Sequence, residues 1–443
     1  MMNVDTICAV ATAPGVGAIA VIRVSGPETY AIVQSLFPKK DLAKQPSHTL
    51  VYGVLKDGEE LLDEVLLSLF RGPRSYTKED TIEISTHGSP YIVRRILQAL
   101  VRKGCRMANP GEFTQRAFLN GQLDLVQAEA VADLIAADSA AAHKVALNQL
   151  RGGFSKKLGQ LREELVHFAS LVELELDFGE EDVEFADRED LRKLVTQLQG
   201  QIRPLIESFS QGNAVKEGIP VAILGAPNAG KSTLLNALLQ EEKAIVTEIA
   251  GTTRDVIEDV LFLGGIKFRI LDTAGIRETN DVVEALGIER SRKAMEQAEV
   301  VIFLFENDQD KAYLAELSQA LPNTFILWVR NKMDQYPGTL QPDEIGISAK
   351  LGDGINQLEE TLVEWAQNQS TGDTLLTNIR HLEQLTKTLE ALQEVLQGLQ
   401  LNVTGDFLAQ DIRLALHHLG EITGTITTDD LLANIFSRFC IGK

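Results

Sequence analysis

Gly225-Ala226-Pro227-Asn228-Ala229-Gly230-Lys231-Ser232 leaves this chain little freedom in how it folds around residue 225. A loop of the form G-x-x-x-x-G-K-S works only between a strand and a helix, because its backbone N–H groups must converge on phosphate at a helix N-terminus. Apolar Val221-Ala222-Ile223-Leu224 reads as the buried strand before it, and Ser232 to Leu239 as the helix after it. In that frame Lys231 reaches the β and γ oxygens of a nucleoside triphosphate and the Ser232 hydroxyl ligates Mg2+. Three further segments follow in order: Asp272-Thr273-Ala274-Gly275, Asn331-Lys332-Met333-Asp334 and Ser348-Ala349-Lys350. The second of these three selects the base. A carboxylate at Asp334 accepts from the ring N–H and exocyclic amine of guanine, a donor pair that adenine lacks, and a mispaired buried carboxylate is costly. Lys332 can lie along the base, Asn331 can tie this loop to the phosphate loop, and the Ser348-Ala349-Lys350 backbone can reach the guanine carbonyl.

Strand and helix signals alternate around these motifs, with strands at Val221 to Leu224, Phe268 to Leu271, Val300 to Phe305 and Phe325 to Val329. This pattern predicts a parallel-sheet nucleotide domain over 217–374. Residues 1–120 mix strand signals at Ala18 to Val24, Glu64 to Phe70 and Thr81 to Ser85 with a helix at Tyr91 to Lys103, so an α+β domain is expected there. Alternation along Thr81-Ile82-Glu83-Ile84-Ser85 places Glu83 opposite Ile82 and Ile84. Ala- and Leu-rich helical texture fills 121–216, notably Leu123 to Ala137 and Leu158 to Leu176. It returns over 375–443, at Leu382 to Leu399, Asp406 to Leu419 and Leu431 to Phe439, with Thr428 as a cap. The expected architecture is multidomain, α/β and α, with one discontinuous helical domain interrupted by an inserted nucleotide domain.

A chain of 443 residues with 44% hydrophobic content has material for two or three domains. Its formal net charge of −21 excludes nucleic-acid binding by bulk charge, so any RNA contact is local or carried by a partner. Arg94-Arg95 and Arg102-Lys103 with Arg106 read as a solvated helix face. Cys8, Cys105 and Cys440 are odd in number and far apart, which fits a reducing compartment without a disulfide framework. The apolar stretch Thr6 to Val24 has no basic residues before it and is broken by Pro14, Gly15 and Gly17. It reads as two strands joined by the Ala13 to Gly17 turn, in a cytoplasmic protein with no membrane association. Acidic Asp177 to Asp190 lacks calcium-loop spacing and reads as a solvated connection. Adjacent His417 and His418 on a helix diverge and do not share a metal.

Hydrolysis needs a group that orients water. Where many GTPases carry Gln after Asp-x-x-Gly, this chain has apolar Ile276, and Glu278, Asp281 and Glu284 stand as equal candidates. Charge on the transferred phosphoryl group needs a cation, either Arg254 of Gly251-Thr252-Thr253-Arg254-Asp255 or a monovalent ion held by Asn228 and loop carbonyls, with Thr253 sensing Mg2+ and the γ-phosphate.

Asn228, the Gly251 to Asp255 segment, Ile276, Phe113-Thr114-Gln115-Arg116-Ala117-Phe118-Leu119-Asn120 and the terminal Cys440-Ile441-Gly442-Lys443 together resemble the MnmE (TrmE) family of tRNA modification GTPases, over essentially the whole chain. The resemblance implies a folate-binding, dimerising N-terminal domain at 1–120 and a helical domain at 121–216 and 375–443. It also implies an inserted Ras-like P-loop GTPase domain at 217–374, activated by potassium-dependent dimerisation. Potassium would be held by Asn228, Thr247, Thr252 and the Ile249 carbonyl, and Mg2+ by Ser232 and Thr253. Glu284 would orient water, and Lys231 would act with it on the transferred phosphate. The nucleotide pocket would comprise Asn228, Ala229, Gly230, Lys231, Ser232, Thr233, Thr247, Glu248, Ile249, Ala250, Gly251, Thr252, Thr253, Asp272, Thr273, Ala274, Gly275, Asn331, Lys332, Asp334, Ser348, Ala349 and Lys350. For 5-formyl-tetrahydrofolate, the one-carbon donor, the matched positions are Arg23, Glu83 and Lys443, with Gln122 where the family usually carries Lys. The family also implies a homodimer that joins an FAD-dependent MnmG-type partner in a heterotetramer or larger complex. Together they install an aminomethyl or carboxymethylaminomethyl group at C5 of the wobble uridine of certain tRNAs. Two rival readings are a GTP-switched assembly factor, which has no need of a folate pocket, and a folate-dependent one-carbon transferase regulated by GTP. Cys440 reads as a nucleophile or as a small residue packing a helix end.

Overall fold

The computed structural model describes residues 5–38, 40–177, 188–242, 259–271, 293–319, 321, 324–369, 375–401 and 403–442. They gather into two compact units, one made of 1–136, 146–199 and 384–443, the other of 137–145 and 200–383.

The first unit holds a sheet of β1 (Ile7–Val10), β2 (Ile19–Ser25), β3 (Thr49–Asp57), β4 (Glu60–Phe70), β5 (Thr81–His87) and β6 (Arg106–Met107), in the order β3-β4-β5-β2-β1-β6. All pairs are antiparallel except β1 with β6. The Thr6 to Val24 stretch is the expected pair of strands, Ile7 facing Ser25, with Gly15 at φ 132° in the turn between them. One sheet face, including Ile22, Val24, Ile82 and Ile84, packs on Val33 and Leu36 of helix Thr29–Leu36 and on Ile96 and Leu100 of helix Pro90–Arg102. Period-2 alternation therefore turns Arg23 and Glu83, which face each other in register, to the opposite side, as the sequence predicted for Glu83.

Helices from both flanks of the second sheet meet in this unit. Helix Gly153–Asp177 buries Phe154, Leu158, Leu161, Leu165, Phe168 and Val172, alternating steps of four and three residues that line one stripe. Leu408, Ile412, Ala415, Leu419 and Ile422 repeat that spacing on helix Gly405–Thr423, which packs against it, and Arg413 Nε reaches Glu173 Oε1 at 2.8 Å. Gly424, at φ 83°, ends that helix where a Cβ would lie 2.6 Å from the Phe118 ring. Thr428 caps helix Asp429–Ser437 as expected, its side chain accepting from Leu431 N at 3.2 Å.

The second unit carries β7 (Ile219–Gly225), β8 (Asp259–Leu263), β9 (Ile266–Ile270), β10 (Val300–Phe305), β11 (Phe325–Arg330) and β12 (Glu344–Gly346), ordered β12-β11-β10-β7-β9-β8. Every pair is parallel except the β8/β9 hairpin. Val300 to Phe305 is buried at all six positions, because β10 is central and covered on both faces. Ile302 and Leu304 meet Leu234, Leu238 and Leu358 on one side, while Phe303 and Phe305 meet Leu314 and Met295 on the other. β7 lies where the strand order reverses, so a crevice opens beyond its carboxyl end.

Candidate functional site

At that crevice the chain leaves β7 at Gly225 and re-enters regular structure at Lys231, the first residue of helix Lys231–Glu242. Asn228 at φ 65° and Gly230 at φ 94° put two left-handed residues into this turn, which curls backbone N–H groups around a concavity suited to an anion. Gly230 admits no side chain, since a Cβ there would sit 2.3 Å from Asn331 Nδ2. Lys231 Nζ donates to the carbonyls of Gly225 at 2.8 Å and Ala226 at 3.1 Å, and burial holds its ammonium below the ordinary lysine range. A phosphate at the loop would supply a counter-charge for it. Ser232 and Thr233 stand in the first helical turn, the place from which a hydroxyl reaches a phosphate-bound metal.

Three loops close on one another here. Buried Asn331 donates from Nδ2 to the Ala229 carbonyl at 2.8 Å, and its Oδ1 accepts from Ala349 N at 3.0 Å, so one amide joins the phosphate loop to the Ser348-Ala349-Lys350 loop. Lys332 Nζ donates to the Asn228 carbonyl at 3.0 Å. Asp334 is exposed at the rim, its Oδ1 accepting from Ser348 Oγ at 2.7 Å, which ties one carboxylate oxygen to the Ser348-Ala349-Lys350 loop. Thus Asn228, Ala229, Gly230, Lys231, Asn331, Lys332, Asp334, Ser348 and Ala349 form one assembly, with Ser232, Thr233 and exposed Lys350 flanking it. Glu306, which the sequence did not single out, joins it through an ion pair of 2.5 Å to Lys332 Nζ. Thr247, Glu248, Ile249, Ala250, Gly251, Thr252, Thr253, Arg254, Asp272, Thr273, Ala274, Gly275, Ile276, Glu278, Asp281, Glu284 and Lys443 lie outside the described residues.

A second cluster belongs to the first unit. Arg23 Nε and Nη2 both donate to Glu83 Oε1, at 3.0 and 2.8 Å, and Arg23 Nη1 donates to the Gly442 carbonyl at 3.4 Å. Its guanidinium lies 5.2 Å from the Tyr76 ring centroid and 5.6 Å from that of Phe113. Both donors use one carboxylate oxygen, which leaves Glu83 Oε2 as an acceptor of the kind that an amino-pyrimidinone edge needs. Among the described residues Gln122 shares no hydrogen bond with this pair. It lines a cavity of about 580 Å³ with His48, Phe70, Arg74, Ser75 and Tyr76, so Tyr76 borders both. Tyr76 is a functional candidate that carries no local sequence signal, whereas Phe113 opens the Phe113 to Asn120 segment singled out above without a binding role assigned to it. Arg116 of the Phe113 to Asn120 segment is buried and serves structure, bonding Asp5, Glu79 and Glu112.

Among the described residues no group of three or more His, Cys, Asp or Glu side chains could hold a metal. His418 Nδ1 pairs with Gln384 Oε1 at 2.8 Å, but the two rings do not diverge as expected: both approach the Glu421 carboxylate, His417 Nε2 at 3.6 Å and His418 Nδ1 at 3.9 Å, with ring centroids 5.5 Å apart. All three cysteines are free, with Cys8 and Cys105 buried and Cys440 exposed. No described helix is long and apolar enough to cross a membrane.

Known proteins match this chain along its whole length. Residues 6–122 match the family model described as GTP-binding protein TrmE N-terminus, and residues 125–440 match the MnmE helical domain. A protein of Cytophaga hutchinsonii named tRNA modification GTPase MnmE is 55% identical over 453 residues, covering 100% of this chain and 98% of that protein. Proteins of the same name from Christiangramia forsetii and Parabacteroides distasonis are each 52% identical, with 99% of this chain covered and 99% and 100% of theirs. The chain belongs to the MnmE (TrmE) family, and with it to the GTPases that act in tRNA modification.

Proposed function

We propose that the three-loop assembly around Asn331 is the GTP site of a potassium-activated GTPase, and that hydrolysis there drives a conformational cycle in modification of the wobble uridine. The observation that carries the reading is the Asn331 side chain spanning phosphate loop and base loop, which makes binding of one ligand at both loops cooperative. Hydrolysis forms a bond from a water oxygen to the γ-phosphorus and breaks that phosphorus's bond to the bridging oxygen, releasing GDP. Lys231 meets the β and γ oxygens by exchanging its two carbonyl partners for phosphate, and Asp334 accepts from guanine. Glu284 holds and orients the water. Mg2+ bound by Ser232 and Thr253 would supply charge neutralisation at the phosphates. Potassium would be held by Asn228, Thr247, Thr252 and the Ile249 carbonyl. Asn228 is exposed and left-handed on the phosphate loop, so its side-chain oxygen is available to an ion there.

The β12-β11-β10-β7-β9-β8 order with a single antiparallel edge strand supports a Ras-like GTPase domain at 217–374, inserted between helical parts at 121–216 and 375–443 and following an N-terminal domain at 1–120. Arg23, Glu83 and Lys443, with Gln122 on the adjoining cavity, form the site proposed for 5-formyl-tetrahydrofolate, whose bound one-carbon unit would be spent at C5 of uridine. The protein works as a cytoplasmic homodimer with an FAD-dependent MnmG-type partner in a heterotetramer or larger complex, which also supplies tRNA contacts that a chain of net charge −21 does not offer in bulk. The test is GTP turnover by the full chain in potassium against sodium at equal ionic strength. Strong stimulation by potassium that Asn228→Ala removes is expected, and equal rates in the two salts would overturn the potassium reading.

A further inference from the structure

We infer that Glu306 is a positioning residue for nucleotide binding, holding Lys332 and through it the base loop against the phosphate loop. Glu306 directly follows β10, whose last carbonyl, on Phe305, accepts from Asn331 N at 2.8 Å, so it stands beside the base loop by covalent geometry. Its Oε1 lies 2.5 Å from Lys332 Nζ, and the same ammonium donates to the Asn228 carbonyl at 3.0 Å. Lys332 at φ 60° and Asn228 at φ 65° both occupy the left-handed region that side-chain-bearing residues seldom adopt. One ammonium therefore clamps two strained turns together, and the carboxylate that sets its position is Glu306.

The neighbouring acids are engaged elsewhere, Asp308 with Arg330 and Glu344 with Arg330 and Lys311. At 24% and 30% side-chain exposure the Glu306–Lys332 pair is only partly screened by solvent. A lysine head held at its end also holds its methylene stem, the part that can lie along a purine. Because the clamp closes on Asn228 and involves no γ-phosphate contact, it acts on GDP and GTP alike. The inference rests on placing the guanine-nucleotide pocket at these loops.

Displacement titration of a fluorescent GDP from the full chain, with turnover at saturating GTP, tests it. Glu306→Ala is expected to raise Kd for GDP and KM for GTP together, about fivefold to tenfold, with kcat within about twofold of the parent. Glu306→Gln, which keeps a hydrogen-bonding oxygen and loses the charge, should fall between the two, and serves if the alanine variant folds poorly. In a Lys332→Met background Glu306→Ala should change Kd no further. Unchanged Kd for Glu306→Ala, or an equal loss in the Lys332→Met background, would overturn the inference. Asp334→Asn tested alongside separates the two layers: full guanine affinity in that variant removes the pocket assignment itself, whereas its loss with a silent Glu306→Ala removes only the clamp.

Discussion

Asn331→Ala severs the connection between phosphate and base loops with one substitution. The side chain is 3% exposed and makes two hydrogen bonds, to the Ala229 carbonyl at 2.8 Å and from Ala349 N at 3.0 Å, both partners being buried residues. Truncation leaves a carbonyl and an N–H without their partner, each costing about 1–3 kcal/mol when buried. Water entering the space left by the amide recovers part of this, so a total of about 2–4 kcal/mol is the working figure. A nucleotide needs both loops in place at once, whereas the free chain can let one relax, so most of that energy is charged to binding. At 1.4 kcal/mol per tenfold, Kd for GDP should rise about 30-fold to 1000-fold. Fluorescent-GDP displacement on the full chain measures this directly. Asn331→Asp keeps an acceptor for Ala349 N and sets a carboxylate against the Ala229 carbonyl, so it should be at least as damaging. A Kd within threefold of the parent for Asn331→Ala would refute the idea that this amide couples the two loops.

Acid should loosen the second unit through Glu344. Its side chain is fully buried, and although burial alone would raise its pKa, hydrogen bonds from Arg330 and Lys311 bring it down to about 2. A carboxylate whose folded pKa lies below its unfolded one stabilises above pH 4.5 and loses that contribution as pH falls from 4.5 toward 2. With solvent screening allowed for, the effect is about 2 kcal/mol. Both tryptophans, Trp328 and Trp365, lie in this unit, so urea unfolding followed by their fluorescence at pH 7 and at pH 3.5 should show the loss, and Glu344→Gln should make the difference smaller. Gly442→Ala addresses the first unit. A Cβ there would lie 2.0 Å from the Val10 carbonyl at φ 96°, so the last residues must leave that position and with them the carbonyl facing Arg23. Calorimetric titration with 5-formyl-tetrahydrofolate should weaken at least about tenfold by loss of a charged hydrogen bond and its neighbours, with GDP affinity unchanged.

Elements whose reason for existing lies within a few residues were legible. The β7 strand and its loop follow from a run of apolar residues before glycine and lysine, β10 from six apolar residues in a row, and the Thr428 cap from a hydroxyl before a helical stripe. Strands β3, β6, β8 and β12 were not among those expected, β6 and β12 being only two and three residues long. β3 alternates over Thr49 to Asp57, but its exposed face carries Leu50 and Tyr52, which blurs the pattern that alternation relies on. β8 and β9 turn through Gly264 and Gly265 at φ 58° and 78°, a two-glycine hairpin signal that adds β8 to the strand already expected at Phe268 to Leu271.

The two sites divide along the same line. Phosphate and base loops each sit at the end of one strand, so their residues appear in the sequence as contiguous words, and the sheet needs only to bring strand ends together for the words to meet. Glu306 was invisible because a lone carboxylate after an apolar run has many uses, and only the approach of Lys332 gives it one. The Arg23 cluster is the opposite case. Arg23 and Glu83 come from paired strands, Tyr76 and Phe113 from a loop and a helix, and the Gly442 carbonyl from a point 419 residues away. Gly442 can approach Val10 that closely only because it has no side chain, and closing so long a loop is entropically costly. The contact with Arg23 therefore depends on docking of helix Asp429–Ser437, where Leu432 and Phe436 pack on Leu125 and Ala128. Any pocket formed at Arg23 is thus completed by the end of the chain, which makes it sensitive to the state of the helical segment in a way that no reading of residues 1–120 alone would reveal.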